Sequence, residues 1–300
     1  GFIGSNLVDQ LIDDGNDVFI FDDLSSGKSE NINPKSWFDY QVDIADVSPH
    51  VVAWMNTFVS DNDIDVIFHL AAKARVQPSI EDPIGFNETN VNGTLNLLKA
   101  AVDANVNRFV FTSSSSVYGD VHITPTDEYH IADPLSPYGA QKLIGEVYCK
   151  QFYRTYGLRS TCLRYFNVYG ERQLLEGAYS LVMGKFVQQR LNGEPMTIRG
   201  DGEQRRDFTY VGDVVKANIL AALSENPLAS EGTPINIGNG DNRSVNEIAD
   251  MIGGDRINVD AVLEPRETLA DNTRALNLLD WVPRGDIETW IKGYKKEVGL

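Results

Sequence analysis

Two hydrophobic periods alternate through the first half of the chain. Directly after Gly1-Phe2-Ile3-Gly4 comes an amphipathic helix with Leu7, Val8, Leu11 and Ile12 on one face, closed by Gly15-Asn16. A β-rich run, Val18-Phe19-Ile20-Phe21, follows and ends on Asp22-Asp23. Apolar runs at 64–70 and 106–111 read as buried parallel strands, and residues 91–102 carry a helical period. A long helix is expected from about 137 to 156 and a strand at about 158–164. Six or seven such alternations predict an α/β fold with a doubly wound parallel sheet. The second half is less regular. Helices are expected at 179–192, 213–224, 244–252 and 286–297, with a short strand, Ile235-Asn236-Ile237, and turns at 200–202 and 238–242. This half reads as a smaller α/β domain capping the strand C-termini, where such sheets bind ligands. The expected division is 1–167 with about 205–240 for the sheet domain, and 168–204 with 241–300 for the cap.

Composition narrows the class. In 300 residues, 42% hydrophobic and 23% charged residues describe an ordinary globular protein. No stretch approaches the roughly 20 apolar residues that span a bilayer, so no membrane segment is expected. Two cysteines, Cys149 and Cys162, exclude a disulfide scaffold and fit a reducing cytoplasm. A net charge of −17 repels phosphate backbones and argues against nucleic-acid binding. Asp outnumbers Glu by 27 to 16 and Lys is only 11. That pattern fits either a plain solvated acidic surface or adaptation to high salt, where cations screen self-repulsion.

The first chemical signal is at the start. A glycine pair three apart, a helix, then a strand ending in Asp22 make the back half of a dinucleotide-binding βαβ unit. Asp22 lies 18 residues after Gly4, near the usual spacing of about 20. The first strand and first glycine of such a unit are expected to precede Gly1, outside this sequence. Glycines let the backbone approach a pyrophosphate at the helix N-terminus. Asp22 would accept bonds from a ribose and repel a 2′-phosphate, favouring NAD over NADP. Gly1 and Gly4 by themselves would equally make a plain tight turn.

The second signal is Tyr138-Gly139-Ala140-Gln141-Lys142, which puts Tyr and Lys on one helix face. A buried lysine beside a tyrosine is expected to lower the phenol's pKa and make it a base for an alcohol. With 12 Tyr and 11 Lys in the chain, the spacing alone is unspecific and fits a surface pair. Its context is a run, Thr112-Ser113-Ser114-Ser115-Ser116-Val117-Tyr118-Gly119, at the end of an expected buried strand. Ser114 lies 24 residues before Tyr138. A hydroxyl there can support an oxygen that becomes charged. Elsewhere such a run is a polar loop.

Taken in order, the motifs resemble the extended short-chain dehydrogenases/reductases of the nucleotide-sugar epimerase/dehydratase family, and among them most the UDP-glucose 4-epimerases. They are Gly1-Phe2-Ile3-Gly4, Asp22, Asp43-Ile44, His69-Leu70-Ala71-Ala72, Asn90-Val91-Asn92-Gly93-Thr94, the serine run, Tyr138 with Lys142, Arg164-Tyr165-Phe166-Asn167-Val168-Tyr169-Gly170, and Arg206-Asp207-Phe208-Thr209-Tyr210-Val211. The resemblance implies a Rossmann sheet with a substrate-capping domain, bound NAD, and epimerisation at C4 of a UDP-hexose through a transient 4-keto sugar. It also implies a homodimer, with helices around 90–104 and 137–156 packed as a four-helix bundle. Tyr138 would be the general base, Lys142 its tuner and ribose contact, and Ser114 the partner of the sugar 4-oxygen. Gly1, Phe2, Ile3, Gly4, Asp22, Asp43, Ile44, Leu70, Ala71, Ala72, Asn90 and Tyr165 would surround the cofactor. Asn167 and Arg206 would hold the diphosphate, unless Asn167 merely forms a turn and Arg206 an ion pair with Asp207. Relatives carry Arg-Pro-Gly-Glu where this chain has Ala261-Val262-Leu263-Glu264, so Arg266 is the expected substitute for the missing arginine. Thr268 would face the sugar and leave room for an N-acetyl group, or serve only as a strand residue. No metal site is implied. The family's 4,6-dehydratases carry Asp-Glu after the catalytic hydroxyl; here those places are Ser115 and Ser116, which argues for epimerisation. A related dehydratase or decarboxylase, or a non-catalytic dinucleotide sensor, are the other readings.

Overall fold

The computed structural model describes residues 1–38, 41–46, 48–173 and 182–300. In chain order its strands are β1 (Val66–His69), β2 (Arg108–Ser114), β3 (Ser160–Tyr165), β4 (Asn167–Tyr169), β5 (Met196–Arg199), β6 (Arg205–Tyr210), β7 (Glu231–Ile237), β8 (Asn242–Ser244) and β9 (Arg256–Val259). The helices are α1 (Phe2–Asp13), α2 (Pro49–Asp61), α3 (Val76–Glu81), α4 (Pro83–Asn87), α5 (Thr94–Asp103), α6 (Pro137–Tyr156), α7 (Val182–Leu191), α8 (Val211–Leu223), α9 (Val245–Ile252), α10 (Thr273–Leu279) and α11 (Ile287–Val298).

The central sheet runs β1-β2-β3-β7, all parallel. Successive side chains of a strand point to opposite faces, and β2 shows the result. Phe109 and Phe111 enter a core with Met55 of α2, Leu98 of α5 and Cys149 of α6. Val110 enters a second core with Leu163, Ile235, Val214 and Ala217 of α8, and Trp281. Burial on both faces is why this strand reads as a continuous apolar run. The sheet is therefore doubly wound, as the alternation implies.

Residues 18–22 form only isolated parallel bridges, Phe19 with Trp37 and Asp22 with Gln41. Among the described residues nothing bridges this segment to β1, and a groove lined by Phe2, Ile3 and Leu7 of α1 lies between them.

The expected long helix is α6. Ser136 caps it by accepting from Gly139 N at 3.2 Å, with Pro137 in the first turn. Gly157, at φ 76°, ends it in the left-handed region. The strand expected at 158–164 begins two residues later, after that turn. The period at 91–102 resolves into a π-helical turn, Glu88–Gly93, followed by α5. Helices α8, α9 and α11 match their expected ranges to within two residues. Helix α7 covers part of the expected 179–192 range; residues 179–181 lie outside the described ones.

The cap is built from two small sheets, β4-β6-β8 and β5-β9. They pack with α7, α9 and α11 around Phe186, Met196, Ile198, Phe208, Ile248 and Ile291. Among the described residues no helix is long and apolar enough to cross a membrane.

Candidate active site

One continuous cavity of about 1920 Å³ runs from the groove beside Ile64 and Leu223, along β1, to the C-terminal ends of β1, β2 and β3, and on under the cap. Parallel strands end there in loops whose polar groups are not consumed by the sheet. It is bounded by the start of α1, by Asp22, Asp43 and Ile44, and by the loop Leu70, Ala71 and Ala72 after β1. Its far wall includes Asn167, Arg206 and Thr268.

The α1 end suits an anion. No side chain caps it and no acid stands within its first turn. Asp22 sits beside it: Oδ1 accepts from Leu24 N at 2.8 Å and Oδ2 lies 3.3 Å from the Gly1 nitrogen. Gly1, Phe2, Ile3 and Gly4 all line the cavity, and the small side chains of Ala71 and Ala72 leave room opposite. An uncapped helix end with an acid beside it and a small-residue wall fit a dinucleotide with free ribose hydroxyls.

Ser114, Tyr138 and Lys142 converge where β2 meets α6. Tyr138 is anchored by its backbone N, which donates to Ser79 Oγ at 3.1 Å. Lys142 is 2% exposed; its Nζ donates to Thr112 O at 2.9 Å and lies 5.9 Å from the Tyr138 ring centre. Burial pushes the Tyr138 phenol up, while the Ser114 hydroxyl and the Arg75 guanidinium pull it back. The pull comes from those two groups rather than from Lys142, the tuner read from the sequence. Burial lowers Lys142 itself to about 8. His69, buried between Phe109 and Phe111, is driven down to about 3 by burial and then by Lys142, so it is neutral.

Other expected residues are arranged differently. Asn90 does not line the cavity. Its amide clamps the loop after β1, accepting from Lys73 N and donating to Lys73 O, each at 2.9 Å, and it also donates to Gln141. Tyr165 lines the cavity and its hydroxyl meets Thr112 Oγ1 at 3.2 Å and Asn218. Asn167 reaches Asp207 O at 3.5 Å. Arg206 lines the cavity but pairs with Glu264 at 2.5 Å, not with Asp207. The Asp207 carboxylate instead takes three backbone N–H groups, from Asn239, Gly240 and Ala270. Thr268 lines the cavity while its Oγ1 accepts from Asp207 N at 3.3 Å, so it is both wall and strand-like support. Arg266 is not brought to the site. Its guanidinium grips Asp201 with both forks, at 2.8 and 2.9 Å, on the exposed surface.

One residue escaped the sequence reading. Arg75 lines the cavity at φ 103°, a left-handed conformation costly for a side chain of its size, and its charge acts on Tyr138. The only prior signal was a pair of basic residues, Lys73 and Arg75, after the Leu-Ala-Ala loop.

Comparison with known proteins identifies the family. Residues 1–238 match the family model described as the NAD dependent epimerase/dehydratase family. A UDP-glucose 4-epimerase of Mycolicibacterium smegmatis is 38% identical over 296 residues, covering 95% of this chain and 91% of that one. The crystal structure of a Thermotoga maritima UDP-glucose 4-epimerase with UDP-glucose aligns with a TM-score of 0.91 at 36% identity, over 100% of this chain and 97% of that one. A UDP-N-acetylglucosamine 4-epimerase from Methanobrevibacter ruminantium M1, in complex with UDP-N-acetylmuramic acid, aligns at 0.89 and 36% identity, over 99% and 96%.

Proposed function

This chain belongs to the NAD dependent epimerase/dehydratase family, and from that premise we propose that it inverts C4 of a UDP-hexose. The observation that carries the reading is the convergence of Ser114, Tyr138 and Lys142 in one cavity with an uncapped helix end beside Asp22. The central-sheet unit would hold NAD, and the cap, which takes β6 (Arg205–Tyr210) with it, would hold the sugar nucleotide. When bound, NAD supplies reversible hydride exchange at the sugar C4. The α1 end would receive its pyrophosphate, Asp22 a ribose and Lys142 the nicotinamide ribose.

The residues of the chain handle protons and charge. Tyr138 takes the proton from the 4-hydroxyl and later returns it. The Ser114 hydroxyl donates to the same oxygen as charge builds there. Arg75 favours the phenolate electrostatically. Arg206 exchanges Glu264 for a phosphate, as a guanidinium fork suits either anion. Ser115 and Ser116 offer hydroxyls where an elimination would need an acid and a base, so the ring keeps its oxygens.

The functional unit is a homodimer, with α6 at its centre. Ile144 and Val147 of α6 are 39% and 61% exposed, a face that a second copy would cover. The free, buried thiols of Cys149 and Cys162 support a reducing, cytoplasmic setting.

The test is product analysis with NAD and a panel of UDP-sugars. Inversion at C4 is expected, and Tyr138→Phe should cost more than tenfold in kcat, over about 1.4 kcal/mol, with UDP-sugar affinity nearly intact. A dehydrated or decarboxylated product, or a Tyr138→Phe enzyme within about tenfold of wild type, would overturn it.

A further inference from the structure

Helix α6 and strand β2 are pinned together at consecutive residues. Lys142 Nζ donates to Thr112 O at 2.9 Å, and one turn on, Glu146 Oε1 accepts from Ser113 Oγ at 2.5 Å. The next residue of β2 is Ser114, and one turn back along α6 is Tyr138. Glu146 is held in turn by Arg164, through Nε at 2.8 Å and Nη2 at 2.6 Å. Arg164 is the partner of Ser113 in the β2–β3 register. Its guanidinium lies 4.7 Å over the Tyr118 ring, and Tyr118 donates to Asn236 of β7 at 2.6 Å. The anchor therefore spans three strands of the sheet and the helix.

All of it is dry: Ser113 is 1% exposed, Glu146 6% and Arg164 4%. A buried ion pair is a poor way to gain stability, since apolar residues of similar size often do as well. What it does supply is a fixed geometry. We propose that Ser113 and Glu146 are a positioning pair that sets the spacing of the Ser114 hydroxyl from the Tyr138 phenol. The claim rests on the reading of Ser114 and Tyr138 as the groups acting on the sugar 4-oxygen.

Ser113→Ala removes one hydroxyl and leaves the Glu146–Arg164 pair whole. In the full chain with NAD and a UDP-hexose, kcat should fall roughly 10- to 100-fold, because a small misplacement of reacting groups is expensive. KM should stay within about twofold, and Ser113→Thr, which keeps the hydroxyl, should restore most of the rate. A second readout needs no turnover. Tyr138 ionisation is followed as the tyrosinate absorbance that each Tyr138→Phe counterpart lacks. The charged groups facing the phenol are Arg75, from the loop before α3, and Lys142 of α6. Both stay in place, so loss of the Ser114 bond should move the ionisation to higher pH in Ser113→Ala. An unchanged kcat and titration, or an equal loss in Ser113→Thr, would overturn the pair. Wild type inert on every UDP-hexose would instead sink the reaction proposed above, with the titration still deciding the pair.

Discussion

Lys142 sits in the interior with a carbonyl as its hydrogen-bond partner, and among the described residues no carboxylate forms an ion pair with it. Burial depresses it from 10.5 to about 8. Between those two values the unfolded chain binds more protons than the folded one, so this group adds stability as pH rises from about 8 to 10.5. Below about 8 both states are charged and the full burial penalty stands. Calorimetry should show the melting temperature of wild type minus that of Lys142→Met flat below that point and rising above it. Thr268 gives a prediction of a different kind. It faces the cavity, and Tyr in its place would crowd the sugar by overpacking, typically worth about 1–3 kcal/mol. We expect wild type to accept UDP-N-acetylglucosamine as well as UDP-glucose. Thr268→Tyr should shift their kcat/KM ratio against the acetylated sugar by roughly 5- to 150-fold in a competition assay. An unchanged ratio would leave Thr268 as support for Asp207 alone. At this scale the site was legible where chemistry fixes a spacing, as with Tyr138 and Lys142 on one helix face. It was not legible for Arg266, because spacing along the chain does not reveal that Asp201, 65 residues away, claims its guanidinium. Nor was it for Arg75, whose role depends on a backbone conformation that no pattern encodes.

Gly145 shows why α6 can lie so close to β2. A Cβ there would stand 2.3 Å from Phe111 Cζ. In an exposed helix, Gly→Ala gains up to about 1 kcal/mol. Here the steric term should win, and Gly145→Ala is expected to lower the melting temperature by a few degrees, consistent with overpacking of about 1–3 kcal/mol. A thermal melt that rises would show that the ring yields and the contact is loose. Helix α6 was readable end to end because local chemistry marks both termini: Ser136-Pro137 at the start, Gly157 at the stop. Short cap strands such as β5 and β9 left no comparable mark. They hold four residues each, and their parallel pairing joins segments about 60 residues apart that neither period nor turn chemistry links. Helix α5 starts three residues later than the period at 91–102 because a π-helical turn, Glu88–Gly93, takes up the first of those positions.

The whole molecule carries −17 charges, yet it is proposed to pair with itself through α6. Coulomb repulsion between two such copies acts over about 10 Å at 0.1 M salt, so added salt should favour association and never oppose it. Light scattering after size exclusion should give a dimer mass, most completely at high salt; a monomer at every salt concentration would remove the dimer. The doubly wound layering was readable from alternation alone. The same layering places Cys149 of α6 and Cys162 of β3 at 0% exposure inside one core. A thiol reagent can meet them only when the helical layer lifts from the sheet. Labelling therefore times the opening of that interior, blind to fraying at loops and termini. Ligands that slow it would reveal themselves as clamps on the layer that carries Tyr138, even before any product is measured.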